Sequence, residues 1–243
     1  MSQTLSGRSP EVPLAERDDL AVARETCGDE ASARSDLTEA LSCWGESLTI
    51  LQERGLHGAA ARVATKMAAV EESLGRAEEA CAHYEQAADA HILAGEIHRV
   101  PMCLNNLAML RKVAGNLDES SGILRRALAQ CARCHGDLHK ETALISSNLG
   151  AVLAECGDMV GAVQAHMEAL RIREGLYGPT HPEVGLSLGH LAVAHQLAGD
   201  EEKARRHYEA ALAILGEFPG VHAAEREVLQ ANLDELNAPA EEV

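Results

Sequence analysis

The sequence predicts an all-α fold: a solenoid of about five stacked helix pairs closed by a C-terminal capping helix. Composition is the first observation, since alanine and leucine account for 73 of 243 residues and only Trp44, Tyr84, Tyr177, Tyr208 and Phe218 are aromatic. Such usage favours helix and starves strands of the residues they prefer. The second is a repeat. Gly75, Gly115, Gly157 and Gly199 are spaced 40, 42 and 42 residues apart. Five residues beyond each come Ala80, Ser120, Ala162 and Ala204, and twelve beyond come Ala87, Ala127, Ala169 and Ala211. Eight and seven residues before each stand a large and a small residue: Met67–Ala68, Leu107–Ala108, Leu149–Gly150 and Leu191–Ala192. The third is an independent clock of turn histidines, His57, His98, His139, His181 and His222, separated by 41, 41, 42 and 41.

Each period reads as two amphipathic helices joined by a glycine turn, because glycine enters the left-handed conformation that ends a helix at little cost. First helices are expected near 58–73, 100–114, 141–156 and 183–198, and second helices near 76–93, 117–134, 159–175 and 201–215. An earlier, degenerate repeat is read by matching Leu20–Ala23 and Gly28–Glu30 to Leu191–Ala194 and Gly199–Glu201. That register makes Gly28 its turn glycine, places a second helix near 36–54 with Trp44 in the slot of Tyr84, and leaves a short extra loop around Ala31–Ser35. Residues 223–236 form a last helix without a following partner, which is how a repeat array is capped. The expected organisation is a flexible stretch 1–11, one array over 12–236 and a flexible acidic tail 237–243. Its repeats fall near 12–56, 57–97, 98–139, 140–180 and 181–221, with the cap at 222–236.

These features resemble the tetratricopeptide repeat family over roughly residues 12–236. The long period, together with LNNLAML at 104–110 and LYGPTHPEV at 176–184, resembles kinesin light chains, whose repeats carry Leu-Asn-Asn-Leu-Ala and a Gly-Pro-x-His-Pro turn. Asn106 and Asn148 match the family asparagine, Lys66 and His190 replace it, and only the fourth repeat keeps Gly178, Pro179, His181 and Pro182 together. The resemblance implies a right-handed superhelical solenoid of tetratricopeptide repeats that is a non-catalytic, cytoplasmic adaptor or scaffold. For bacterial members it implies a tubulin-like cytoskeletal filament as partner. In the family frame the groove takes Lys66, Met102, Asn105, Asn106, Met109, Lys112, Leu144, Asn148, Ala151, Leu186, His190 and Val193. Asparagine donates and accepts at once, which suits an extended peptide backbone, and it equally suits hydrogen bonds between neighbouring repeats. Chaperone-binding relatives clamp a carboxylate with several cations; Arg62, Lys66 and Lys112 do not reproduce that pattern.

The charge balance narrows the function classes. With 21 Lys and Arg against 38 Asp and Glu, the net charge is −17, and no basic stripe or aromatic platform offers itself to nucleic acid. No apolar run is long enough for a membrane span. Residues 217–243 hold seven acids against Arg226 alone, a solvated end of the chain. The seven cysteines are odd in number and scattered, so all are expected to be reduced thiols.

Three motifs resemble catalytic or cofactor chemistry. Gly185, Ser187 and Gly189 fit GxSxG, but a nucleophile elbow needs a strand before the serine and this one falls inside a predicted helix. Cys131, Cys134 and His135 spell the haem-attachment pattern CxxCH, and His139 adds a fourth potential ligand, so a metal- or haem-binding protein built on this cluster is the rival reading. In the repeat frame Cys134 aligns with Ala94, Leu176 and Phe218, and Cys27 and Cys156 align with Leu74, Ala114 and Ala198. Those slots are expected to be core, with cysteine as a small hydrophobe. The leading expectation is therefore no cofactor, no metal and no enzyme activity. Neighbouring turn histidines cannot share an ion, because stacked helices are separated by about 8–10 Å, so they are expected to cap or pack their turns.

Overall fold

The computed structural model describes residues 13–136 and 138–238, so residues 1–11 and most of the tail 237–243 lie outside the described part. Among the described residues there are eleven α-helices, a three-residue 3-10 turn and no strand. By internal contacts the chain divides into two compact units, Met1–Ile97 and His98–Val243. The first unit holds α1 (Leu14–Ala33), α2 (Leu37–Glu53), α3 (His57–Ser73) and α4 (Ala77–Leu93). The second holds α5 (Val100–Val113), α6 (Leu117–Cys134), α7 (Lys140–Glu155), α8 (Met159–Tyr177), α9 (Pro182–Leu197), α10 (Glu201–Gly216) and α11 (Ala223–Asn237). Each helix packs on the next within its unit, and α5 with α7 and α7 with α9 are further neighbours, the arrangement of helix pairs in a tetratricopeptide solenoid.

The repeated small residues are where helices meet. Ala80, Ser120, Ala162 and Ala204 are all fully buried, as are Ala87, Ala127, Ala169 and Ala211. Every turn inside a pair uses one backbone device. The turn residue, a glycine in all pairs but the first, has positive φ, and the next N–H reaches back five residues, as in Asn116 N–H to the Arg111 carbonyl at 2.9 Å and Asp200 N–H to the His195 carbonyl at 2.9 Å. That bond satisfies a carbonyl the helix end would otherwise leave open. Asp36, Asp158 and Asp200 then cap the following helices by accepting a backbone N–H three residues on. Of the turn histidines, His139 and His181 accept from the N–H of Glu141 and Glu183, whereas His222 caps nothing and has left-handed backbone at φ 54°.

The first repeat differs from its expected register. Gly28 is not a turn: α1 runs through it to Ala33, and Gly28 is buried beneath the indole of Trp44. The turn residue is Ser35, a non-glycine at φ 63°, forty residues before Gly75. Gly28 thereby falls in the slot of Ala68, Ala108, Gly150 and Ala192, and no extra loop is needed. A serine held in that conformation costs about 1 kcal/mol. Ser35→Gly is expected to raise the melting temperature by a few degrees, measured by circular dichroism against wild type.

The cysteine expectations also need correction. Cys27 and Cys43 pair as a disulfide between α1 and α2, with Cα atoms 6.0 Å apart, so not all seven cysteines are free thiols. Cys156 is exposed rather than core, as are Leu74, Ala114 and Ala198 in the same slot, because the residue before a turn glycine sits on the outer end of its helix. Cys134 is half-buried at the last turn of α6, where its counterparts Ala94, Leu176 and Phe218 are exposed.

At the chain's far end, α11 sets Leu229 and Leu233 into a core with Ala192, Ala204, Tyr208, Ala211 and Leu215. Leu229 lies directly over Gly189, where an added Cβ would come within 2.8 Å of it. The glycine of the GxSxG sequence is thus a packing site for the cap.

Candidate functional site

The residues assigned to the groove fall in both compact units. In the first, Lys66 places its ammonium 2.9 Å from Glu25 and 2.7 Å from Asp29, and over the Trp44 ring at 5.9 Å. It is committed to α1 and α2 of its own unit. The remaining eleven lie on α5, α7 and α9 of the second unit.

Two cavities open among these helices. One, about 430 Å³, is lined by Met102 and Leu144 together with Lys140, Glu141, Arg173, Tyr177 and Glu183. The other, about 270 Å³, lies between α7 and α9 and is lined by Ala151, Ala154, Glu155, His190, Val193, Ala194 and Leu197, with His166 of α8 contributing to its wall. Its surface is mostly apolar. Asn105, Asn106 and Asn148 line neither cavity; they form an amide relay, Asn148 Nδ2 donating to Asn105 Oδ1 at 2.8 Å and Asn105 Nδ2 to Asn106 Oδ1 at 3.3 Å. The relay joins α5 to α7, as expected of amides that bond between neighbouring repeats. Lys112 pairs with Glu155 at 2.8 Å across the same helices. Met109 is half-buried, and Leu186 packs against the core that contains Leu229 and Leu233 of α11.

His166 is the residue that the sequence reading missed. It occupies the slot of Tyr84, Leu124 and Tyr208, and Gly150 stands opposite where two other repeats of this unit have alanine. A Cβ on Gly150 would meet the imidazole at 2.7 Å, so glycine is what admits the ring. His166 is only 6% exposed, and its Nδ1 is buried without a hydrogen-bond partner. Burial, then the nearby His190 and Arg173, push its pKa down to about 4, so the ring is neutral at neutral pH. Ser147 meets His190 Nδ1 at 3.2 Å, and the His166 and His190 rings are 5.7 Å apart. The swap of histidine for tyrosine is visible in the sequence, but its significance depends on knowing that this slot faces Gly150 and the cavity.

The depressed pKa has a stability consequence. The unfolded chain binds a proton near the ordinary value of 6.5 and the folded chain only near 4, so His166 contributes fully above pH 6.5. Its contribution, up to about 3 kcal/mol, is lost as pH falls from 6.5 toward 4. Between pH 7 and 5, wild type is expected to lose more melting temperature than His166→Leu; equal losses would place the titrating group elsewhere.

The motifs resolve into structure. Ser187 sits inside α9, fully buried, accepting from Arg173 Nη1 at 2.6 Å and donating to the Glu183 carbonyl at 3.0 Å. Its hydroxyl is bound on both sides, and among the described residues no strand precedes it. In the CxxCH segment Cys131 is fully buried on α6, where burial raises its thiol pKa. The ligand atoms that do converge are those of His135, His139 and Glu141, without either cysteine. None of the described helices is long and apolar enough to cross a membrane.

Helix pairs recurring every 40–42 residues, each closed by the same turn, define a tetratricopeptide-repeat protein. The family profile described as tetratricopeptide repeat matches residues 141–217, and the profile described as soluble NSF attachment protein, SNAP, matches residues 23–169, more than half of the chain. The chain belongs to the SNAP family by that match, and residues 141–217 match the tetratricopeptide repeat. The crystal structure of BtubC (BKLC) from P. vanneervenii is similar with a TM-score of 0.70 at 23% identity, over 89% of this chain and 94% of that one. A putative kinesin light chain with nearly identical TPR-like repeats from Podosopora anserina gives 0.68 at 18% identity, over 84% of this chain and 98% of that one. At these identities the likeness is one of fold. The clustered mitochondria protein of Arabidopsis thaliana is 31% identical over 101 residues, 40% of this chain, and this match spans only 7% of that relative's length.

Proposed function

We propose that the protein is a non-catalytic adaptor that holds a protein partner in the groove between α7 and α9, and that this partner is a tubulin-like filament. The observation that carries the adaptor reading is the cavity of about 270 Å³ whose walls include Ala151, His190 and Val193, residues that the repeat frame independently assigns to the partner side. An apolar recess bordered by neutral imidazoles suits an inserted apolar side chain of a protein segment. The filament reading is supported by the kinesin-light-chain pattern of LNNLAML and GPTHPEV and by the likeness to BtubC. Repeats that each make a weak contact gain avidity on a polymer of repeated subunits.

Because the chain carries a net charge of −17, an acidic filament gains nothing from charge steering, and binding rests on shape and apolar contact. Co-sedimentation with the tubulin-like polymer encoded in the same genome tests this. The chain is expected to pellet with polymer but not with free subunits, and moderate salt is expected to weaken binding only slightly or to strengthen it. A chain that stays in the supernatant at both low and moderate salt removes the filament and leaves an adaptor for another protein.

A further inference from the structure

The cluster between α6 and α7 offers more than the sequence motif that drew attention to it. His135 is the C-cap of α6, His139 is the N-cap of α7 and Glu141 lies in the first turn of α7. One ligand atom from each comes within 4.8 Å of the other two, and all three residues are half-buried. The two imidazoles stack with centroids 4.0 Å apart and planes 9° from parallel. Glu141 Oε2 is buried, has no hydrogen-bond partner and faces His135 Nε2 at 3.3 Å. Two imidazole nitrogens and one buried carboxylate oxygen are thus gathered at a turn without a structural bond that uses all three.

We propose that His135, His139 and Glu141 form a binding site for a zinc-class divalent cation that staples α6 to α7. Two imidazoles and one carboxylate are a donor set that zinc accepts, and a fourth position is left for water. The ligand atoms need to close only modestly, since bonds of about 2 Å put tetrahedral ligands a little over 3 Å apart. The ion takes a position between His135 Nε2 and Glu141 Oε2, and the stacked rings open slightly so that each can aim a lone pair at it. It also replaces weak contacts, His139 Nδ1 to the Glu141 N–H at 3.3 Å and His135 Nε2 to the His98 carbonyl at 3.3 Å. Cys131 and Cys134, the thiols of the CxxCH motif, are not part of this donor set.

The test is titration of the chelator-treated full chain with Zn²⁺ by calorimetry, in a Cys156→Ser background that removes the exposed thiol. One ion per chain is expected. Glu141→Gln and His139→Ala are each expected to weaken binding at least about 10-fold, whereas His57→Ala, a turn histidine of the other unit, leaves it unchanged. His139→Ala also removes a helix cap, so affinity and not melting temperature is the readout. Circular dichroism confirms that each variant remains helical. Co²⁺ supplies an independent signature: visible d–d absorption without thiolate-to-metal charge transfer. Absence of saturable binding, affinity indifferent to Glu141→Gln, or a thiolate band would each overturn the assignment.

Discussion

Ala169→Trp is expected to abolish cooperative folding of the His98–Val243 unit. Ala169 is 1% exposed and stands at one of the two small positions of every repeat. An indole there cannot be accommodated by rotating a neighbour, because protein interiors are packed as densely as organic crystals. Overpacking by far smaller groups costs about 1–3 kcal/mol, and the whole stability of a domain is about 5–15 kcal/mol. Ala211→Trp, at the same slot of the next repeat, is expected to behave alike, while Glu201→Ala on the exposed start of α10 changes little. Thermal melts followed by circular dichroism decide this. A cooperative Ala169→Trp melt at the wild-type temperature would show that the repeat register is misplaced.

The second large effect is a coupling. Gly150→Ala alone puts a Cβ 2.7 Å from the His166 ring, and because that ring is wedged in the core the expected loss is about 1–3 kcal/mol. Combined with His166→Leu, the same change recreates the Ala108 and Leu124 pairing of the preceding repeat, both residues of which are fully buried. The double variant is therefore expected to be at least as stable as His166→Leu alone, with a coupling above about 0.5 kcal/mol by urea unfolding. Additive effects would mean that Gly150 and His166 do not share one slot.

These two experiments probe the part of the fold that is legible in the sequence. Small residues at +5 and +12 from a turn glycine, and a large–small pair before it, are direct consequences of helices approaching closely, so they recur from repeat to repeat. The first repeat departs from its expected register because Gly28 and Ser35 exchange the usual signals. Glycine makes room for Trp44, and serine takes the left-handed turn that glycine normally fills. The spacing of Trp44 from Tyr84, forty residues, carries the correct register, since both belong to one slot. Burial at helix ends is less legible: periodicity assigns Cys156 and Cys134 to faces but does not say how far a neighbour extends along the helix.

The candidate sites were legible to different degrees. Ala151, His190 and Val193 were reached through the family frame and line one cavity. The asparagines were reached by the same route, but Asn105 is buried and its oxygen is taken by Asn148, so these amides serve the stacking of α5 on α7. His166 and Glu141 escaped notice because neither belongs to a recognisable motif. One is singled out by the glycine facing it, the other by a turn that folds it back against two histidines.

The groove between α7 and α9 is the centre of the functional account, and site-specific photo-crosslinking during co-sedimentation tests it most directly. A photoreactive residue at Val193, in the cavity wall, is compared with one at Val160, which is 71% exposed at the start of α8. The account predicts covalent capture of the sedimenting partner from position 193, abolished by the cavity-filling Ala151→Arg, with little capture from position 160. Capture from position 160 alone, or capture from 193 that is indifferent to Ala151→Arg, would contradict it.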